Sequence, residues 1–178
     1  MNSSNDNQTG DHHENLSGNA AVAKVREIAD KAKSCFFCTS VSSPGPSNAR
    51  PMSVQKVDDD GNIWFLSAKD SHKNAELQTD PSARLFFQGS PHSDFLQLEG
   101  RATISTDRAM IDELWEPIAK NWFTEGKDDP RITVIRFEPS EGYYWDTKHG
   151  YAVAGVKMML GAVTGKTKDD SVEGRVRL

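Results

Sequence analysis

Residues 49–73 read Ala49-Arg50-Pro51-Met52-Ser53-Val54-Gln55-Lys56-Val57, an acidic turn Asp58-Asp59-Asp60-Gly61, then Asn62-Ile63-Trp64-Phe65-Leu66-Ser67-Ala68-Lys69-Asp70-Ser71-His72-Lys73. Two strand-like runs about an Asp-Gly turn predict a β-hairpin, and Asp70-Ser71 predicts the start of a helix. With Val57 opposite Asn62, Met52 falls opposite Ser67 and Arg50 opposite Lys69. That register sets Arg50 diagonally across from Ser67 on one face. The result is a rim of Arg50, Ser67, Ser71 and Lys73. A helix N-terminus, a forked guanidinium, an ammonium and two hydroxyls are the groups that hold a phosphate dianion. The same residues also read as an ordinary N-cap with two solvated surface charges.

Outward from this hairpin, the chain reads as one domain of α+β class between two tails. Residues 1–18 are Asn, Ser, Asp and His with little apolar content and are expected to be disordered. From Asn19, a candidate cap, Val22, Val25, Ile28, Ala29 and Ala32 recur at helical spacing. Cys35 to Val41 reads as a strand, Ser42 to Asn48 as a loop, and Asp70 to about Thr79 as a short helix with Ala75 and Leu77 inward. Strands follow at Arg84–Gln88 and Phe95–Ser105, the latter with Gly100 as a bulge. A helix capped by Ser105 or Thr106 carries Ala109 to Ile118, and Pro117 bends or ends it. A polar loop carries Trp122 and Phe123, and the last strands are Ile132–Glu138 and Glu141–Asp146. A domain over 19–155 and a flexible tail over 156–178 complete the reading. Short strands with flanking helices fit a small antiparallel split β-barrel of six to seven strands.

Composition narrows the function. A net charge of −5 argues against a dedicated nucleic-acid binder. No apolar run reaches the roughly 20 residues of a membrane span. The polar N-terminus lacks a basic-then-apolar leader, so a cytoplasmic protein is the expectation. Cys35 and Cys38 lie three apart on a strand and so on opposite faces, which favours buried structural thiols over a redox pair or half a zinc site. No metal centre is expected. Gly161-Ala-Val-Thr-Gly165-Lys166-Thr167 has three residues between its glycines where a phosphate loop needs four, so an NTPase is rejected.

Arg50-Pro51-Met52-Ser53, Trp64-Phe65-Leu66-Ser67, Ser71-His72-Lys73 and Tyr144-Trp145-Asp146 together resemble the FMN-binding split barrels of the pyridoxamine 5′-phosphate oxidase superfamily. Trp122-Phe123-Thr124-Glu125-Gly126-Lys127-Asp128-Asp129-Pro130 is similar to the general stress protein branch. The resemblance covers about residues 19–146. It implies an FMN site, with FAD as the alternative, in which Arg50, Pro51, Met52 and Ser53 line the flavin. Leu66 belongs to the same site by that resemblance, and Ser67, Ser71, His72 and Lys73 take the phosphate. It also implies a homodimer with flavin at the subunit interface, where Trp145 covers the ring from the other subunit; alone, Trp145 reads equally as a core or interface tryptophan.

Several positions depart from the oxidases. His72 stands where they commonly carry Arg, Gln55 where they carry Lys, and Phe95 where they carry a flavin-contacting Gln. Residues 148–155 lack their Arg-x-His-x-Arg pattern. The expected function is therefore a flavoprotein of the general stress type, either a flavin-dependent oxidoreductase or a flavin-binding sensor or reservoir without turnover. Pyridoxamine 5′-phosphate oxidase proper is the less favoured reading, and no side chain stands out as acid, base or nucleophile.

Overall fold

The computed structural model describes residues 12–40, 48–147 and 171–178. Strands β2 (Ser34–Thr39), β6 (Ser82–Gln88), β7 (Phe95–Ser105) and β8 (Ile132–Thr147) run side by side, each antiparallel to the next. Their inward side chains alternate with outward ones, as a sheet with one core face requires. At one end β2 pairs with β3 (Ala49–Ser53); at the other, the first half of β8 pairs with β5 (Ile63–Ala68). The two ends meet through the two-residue strand β4 (Lys56–Val57), which continues from β3 after a break at Val54–Gln55 and pairs with β5. Six strand positions thus surround the core, and the wall is split where β3 gives way to β4. The α+β antiparallel split barrel is the observed fold.

Two register details differ from expectation. Val57 lies opposite Ile63, one residue away from Asn62, and Lys56 lies opposite Trp64. The segment Ala49–Ser53 pairs with β2, with Phe37 opposite Arg50 and Phe36 opposite Pro51, and makes no ladder with β5. Pro51 has no N–H to donate, which suits this edge position. The bulge at Gly100 is present: the β7–β8 register shifts between Glu99 and Gly100, where a Cβ would run into the Glu138 carbonyl. The two final strands expected after residue 131 are one strand, β8.

Both tails are partly ordered, which corrects the sequence reading. Strand β9 (Ser171–Arg177) pairs antiparallel with the second half of β8, and β1 (Leu16–Ser17) runs parallel to β9. Val172 and Val176 are buried in the core, and the Tyr144 hydroxyl donates to the Glu14 carbonyl at 2.8 Å. The segments 41–47 and 148–170, including the phosphate-loop-like stretch, lie outside the described residues.

Helix α1 (Asn19–Ala32) presses Ala21, Val25, Ile28 and Ala29 onto the sheet. Its N-cap is Gly18 at φ 54°, not Asn19, and makes no side-chain cap bond. It ends at Lys33 in the left-handed region, whose N–H donates to Ala29 O. Inside the barrel Phe37 meets Phe65 and Phe137 edge to face, with centroids 5.5 and 6.3 Å away. Burial of each ring contributes roughly 2 kcal/mol. A second cluster joins the outer face of β5 and β8 to helix α3 (Arg108–Leu114) and the following turns, through Ile111, Leu114, Phe123 and Trp64. Asp107 caps α3, in place of Ser105 or Thr106, and Pro117 opens a short 3-10 turn. No helix among the described residues is long and apolar enough to cross a membrane.

Candidate functional site

Strand β5 ends on Ser67 and Ala68, and the chain turns at once into helix α2 (His72–Thr79). Ser71 caps that helix: its Oγ accepts from the Asn74 N–H, while its own N–H donates to Ala68 O at 3.0 Å. Helix geometry leaves the first-turn N–H groups of His72 and Lys73 without intrahelical acceptors. The inward face of α2 is more polar than expected. Leu77 is buried, but Ala75 is exposed, and Asn74 and Glu76 take the inner positions.

Those two polar residues assemble the site. Buried Asn74 accepts from Ser67 Oγ at 2.7 Å and from Ser71 Oγ at 3.2 Å, and donates to Thr133 Oγ1 at 2.9 Å. Buried Glu76 accepts from Thr39 Oγ1 at 2.6 Å and from the Arg50 guanidinium at 2.7 Å. Arg50 also donates to Thr39 Oγ1 and to the Asn48 carbonyl. Because Arg50 pairs with core-facing Phe37, it reaches α2 from the inner side of β3.

Lys73 lies half-buried beside these groups, its Nζ donating to Ser71 Oγ at 3.3 Å. Among the described residues no carboxylate lies within ion-pair distance of it. Burial, with a smaller contribution from Arg50, pulls its pKa down to about 8, and Glu76 offsets only part of this. An ammonium held against another cation and poor in water is a receptor for an anion. Arg50 and Glu76 largely cancel one another, so Lys73 carries the uncompensated charge of the rim.

The structure therefore brings Arg50, Ser67, Ser71 and Lys73 together, but through α2 and the β2–β3 pairing rather than across the expected hairpin. His72 is exposed beside them. Met52 packs against the core and Leu66 against the second cluster, while Ser53 is exposed on β3. Thr39, Asn74, Glu76 and Thr133 were not read from sequence. Lys73 and Glu76 have the spacing of an ordinary surface pair, and only the fold shows that Glu76 turns inward.

Pro51 and Trp145 belong to a different feature. They line an apolar cleft of about 610 Å³ on the outer face of the sheet, with Phe36, Phe86 and Phe95. Phe36 is 58% exposed and Trp145 42% exposed. Tyr143 packs against Trp145 at a tilt of 51°, with centroids 4.8 Å apart. The adjacent pairs Phe36-Phe37 and Phe86-Phe87 are the sequence signal for this face, because one ring of each pair must point outward. Cys35 faces the core and Cys38 the other side, and burial pushes the Cys35 thiol up, so neither forms a redox pair.

A family model described as pyridoxamine 5′-phosphate oxidase like matches residues 20–169. The protein bli-3 of Neurospora crassa is 26% identical over 143 residues, covering 75% of this chain and 68% of that protein. General stress protein 26 of Bacillus subtilis is 26% identical over 82 residues, covering 44% of this chain and 58% of the relative's length. Among solved structures, a general stress protein 26 from Jannaschia sp. CCS1 superposes with a TM-score of 0.74 at 25% identity, covering 88% of this chain and 97% of that one. The general stress FMN/FAD binding protein of Xanthomonas citri superposes at 0.59 with 26% identity, covering 68% and 84%.

Proposed function

Because the chain belongs to the pyridoxamine 5′-phosphate oxidase-like family, we propose that it binds a flavin through the flavin's 5′-phosphate, as FMN or as the FMN portion of FAD. The observation that carries this reading is the Lys73 ammonium, half-buried next to Ser71 Oγ with no ion-paired carboxylate among the described residues. The donor set fits the group. Lys73, the Ser71 hydroxyl and the first-turn amides of α2 offer charge and hydrogen bonds to a dianion, while buried Ser67 holds Asn74 beneath them. Arg50 adds a guanidinium from β3. Pro51, Met52 and Ser53 extend from that end along the same strand, where their backbone groups, rather than their alternating side chains, would meet the ring.

The apolar outer face supports a homodimer. Phe36, Pro51, Phe86 and Trp145 expose contiguous aromatic and apolar surface of the kind that marks a protein interface. In the dimer, Trp145 of one subunit covers the flavin held by the other. The setting we propose is cytoplasmic.

The bound flavin would supply the redox chemistry, and the chain's residues bind and orient it. We read the protein as a flavin-dependent oxidoreductase of the general stress type, with a flavin sensor or reservoir as the second reading. Gln55 favours neither oxidase activity nor a phosphorylated amine substrate: its amide turns back to the Ser53 carbonyl at 3.3 Å and brings no cation.

Titration of purified protein with FMN, followed by flavin fluorescence, tests the central claim. Wild-type protein should bind and turn yellow, and Lys73→Ala with Arg50→Ala should weaken binding at least tenfold. Wild-type protein that leaves FMN and FAD fluorescence and absorption unchanged would refute it. Oxidation of a reduced nicotinamide cofactor by the flavin-loaded protein separates the oxidoreductase from the reservoir.

A further inference from the structure

Five large apolar side chains are exposed among the described residues. Three of them, Phe36, Phe86 and Trp145, belong to the outer face of the sheet. The other two, Ile118 at 62% and Trp122 at 63% exposure, sit elsewhere, on the turn that follows α3.

That turn is not a loose loop. The Trp122 and Phe123 N–H groups both donate to the Ala119 carbonyl at 3.0 Å, and the Gly126 N–H donates to Phe123 O at 3.0 Å. Ala119 and Phe123, which flank Trp122 in sequence, are buried, with Phe123 against Trp115 at 6.4 Å between centroids. The backbone under Trp122 is therefore fixed while its ring stands in solvent. Ordering such a ring on binding costs little conformational entropy.

Its location connects it to the phosphate rim. The Arg131 guanidinium donates to the Trp122 carbonyl at 3.4 Å, and the Arg131 carbonyl accepts from the Lys69 N–H at 2.7 Å. Lys69 is two residues before Ser71. Around the barrel β3 passes across the split into β4, β4 pairs with β5, and β5 pairs with β8, so that Lys69 and Ser71 just after β5 lie near Arg131 just before β8. If the ring of a flavin lies toward β3 and its phosphate on Ser71 and Lys73, whatever extends beyond that phosphate runs toward Lys69 and Trp122. Arg131 is held by Asp129 through two hydrogen bonds, at 3.1 and 2.7 Å, and also feels Asp70. The cation left for a second phosphate is Lys69, which is exposed and has no ion-paired carboxylate among the described residues.

Resting on the flavin reading above, we propose that Trp122 is the stacking platform for the adenine of a dinucleotide flavin, with Lys69 and Lys73 spanning its pyrophosphate. The cofactor class is then FAD rather than FMN. Base–indole stacking does not depend on base-edge hydrogen bonds, so a bare exposed ring suffices. Ile118, also exposed, lies on the same turn.

The test compares FMN, FAD and ADP binding to wild type, Trp122→Ala and Lys69→Ala, with oligomer size measured in parallel. FAD should bind wild type five- to tenfold more tightly than FMN. Trp122→Ala should remove that excess, leave FMN affinity within twofold, and weaken ADP as competitor of FMN. Lys69→Ala should reduce FAD affinity more than FMN affinity. Equal FAD and FMN affinities in wild type, or equal losses for both in Trp122→Ala, overturn the proposal while leaving the flavin site standing. A change in oligomer size on Trp122→Ala with unchanged FAD affinity also overturns it and makes Trp122 a subunit contact. Binding of neither flavin overturns the parent reading and this one with it.

Discussion

If Lys73 holds a flavin phosphate as proposed, the affinity for FMN should depend on pH in a way that riboflavin cannot share. In the ligand-free fold its pKa is lowered from 10.5 to about 8, with burial as the main cause. Keeping it charged at pH 7 therefore costs roughly 3 kcal/mol relative to water. A phosphate dianion beside Nζ restores the charged form, so above pH 8 the site takes up a proton on binding. The apparent dissociation constant then grows roughly as one plus ten to the power of pH minus 8, about tenfold between pH 7 and pH 9. The sign for stability is fixed by the same shift. A lysine lowered on folding opposes the fold below its folded pKa, and ligand-free stability rises as pH goes from about 8 toward 10.5. The assay is FMN titration at constant ionic strength across pH 7 to 9, with riboflavin as the control for ionisation of the ring. Lys73→Ala should bind FMN weakly and without this slope. A flat FMN profile in wild type, or the same slope with riboflavin, refutes the reasoning.

Three further outcomes follow from the geometry. Glu76→Gln removes the buried partner of Arg50; stability measured by denaturant should drop by about 2 kcal/mol, while FMN affinity rises because the guanidinium is no longer offset. Deletion of residues 171–178 strips Val172 and Val176 from the core and leaves β1 unpaired, costing about 3–5 kcal/mol; an unchanged thermal midpoint would contradict the ordered strand. Phe36→Asp with Phe86→Asp should convert a dimer to a monomer in light scattering and weaken flavin binding, whereas a wild type that is already monomeric removes the interface role of Trp145.

The order of elements was readable because their apolar periods are clean. Ile63, Phe65 and Ser67 alternate inward along β5, and Val25, Ile28 and Ala29 mark the buried stripe of α1. Pairing was harder. The alternation in residues 49–57 shows which side chains share a face but not which strand lies beside them, and the break at Val54–Gln55 changes the partner midway. Strand β9 hid inside a stretch rich in Gly, Lys, Asp and Arg, although Val172, Gly174 and Val176 recur with period two. Gly174 fits there because a Cβ would meet the Glu14 backbone of the adjoining N-terminal segment. At the site, the cations and serines were legible as residue types with a phosphate chemistry. Glu76 was not, since a glutamate three residues from a lysine ordinarily faces water.

The cation–serine rim and the outer aromatic face are tied together by one short strand. In β3 Arg50 points inward to Glu76, opposite Phe37, and Pro51 points outward, opposite Phe36. Side chains alternate with period two, so a one-residue slip would send the guanidinium to the apolar outer face and the proline toward α2. The register of five residues therefore sets the Arg50–Glu76 contact and the outer aromatic surface at the same time. β3 is an edge strand held on one side by β2, and beyond it the Val54 N–H donates to the Lys33 carbonyl. A second subunit seated on Phe36 and Pro51 would clamp this edge and with it the position of Arg50. Flavin affinity and subunit association should then reinforce one another, because each favours the same placement of the same strand.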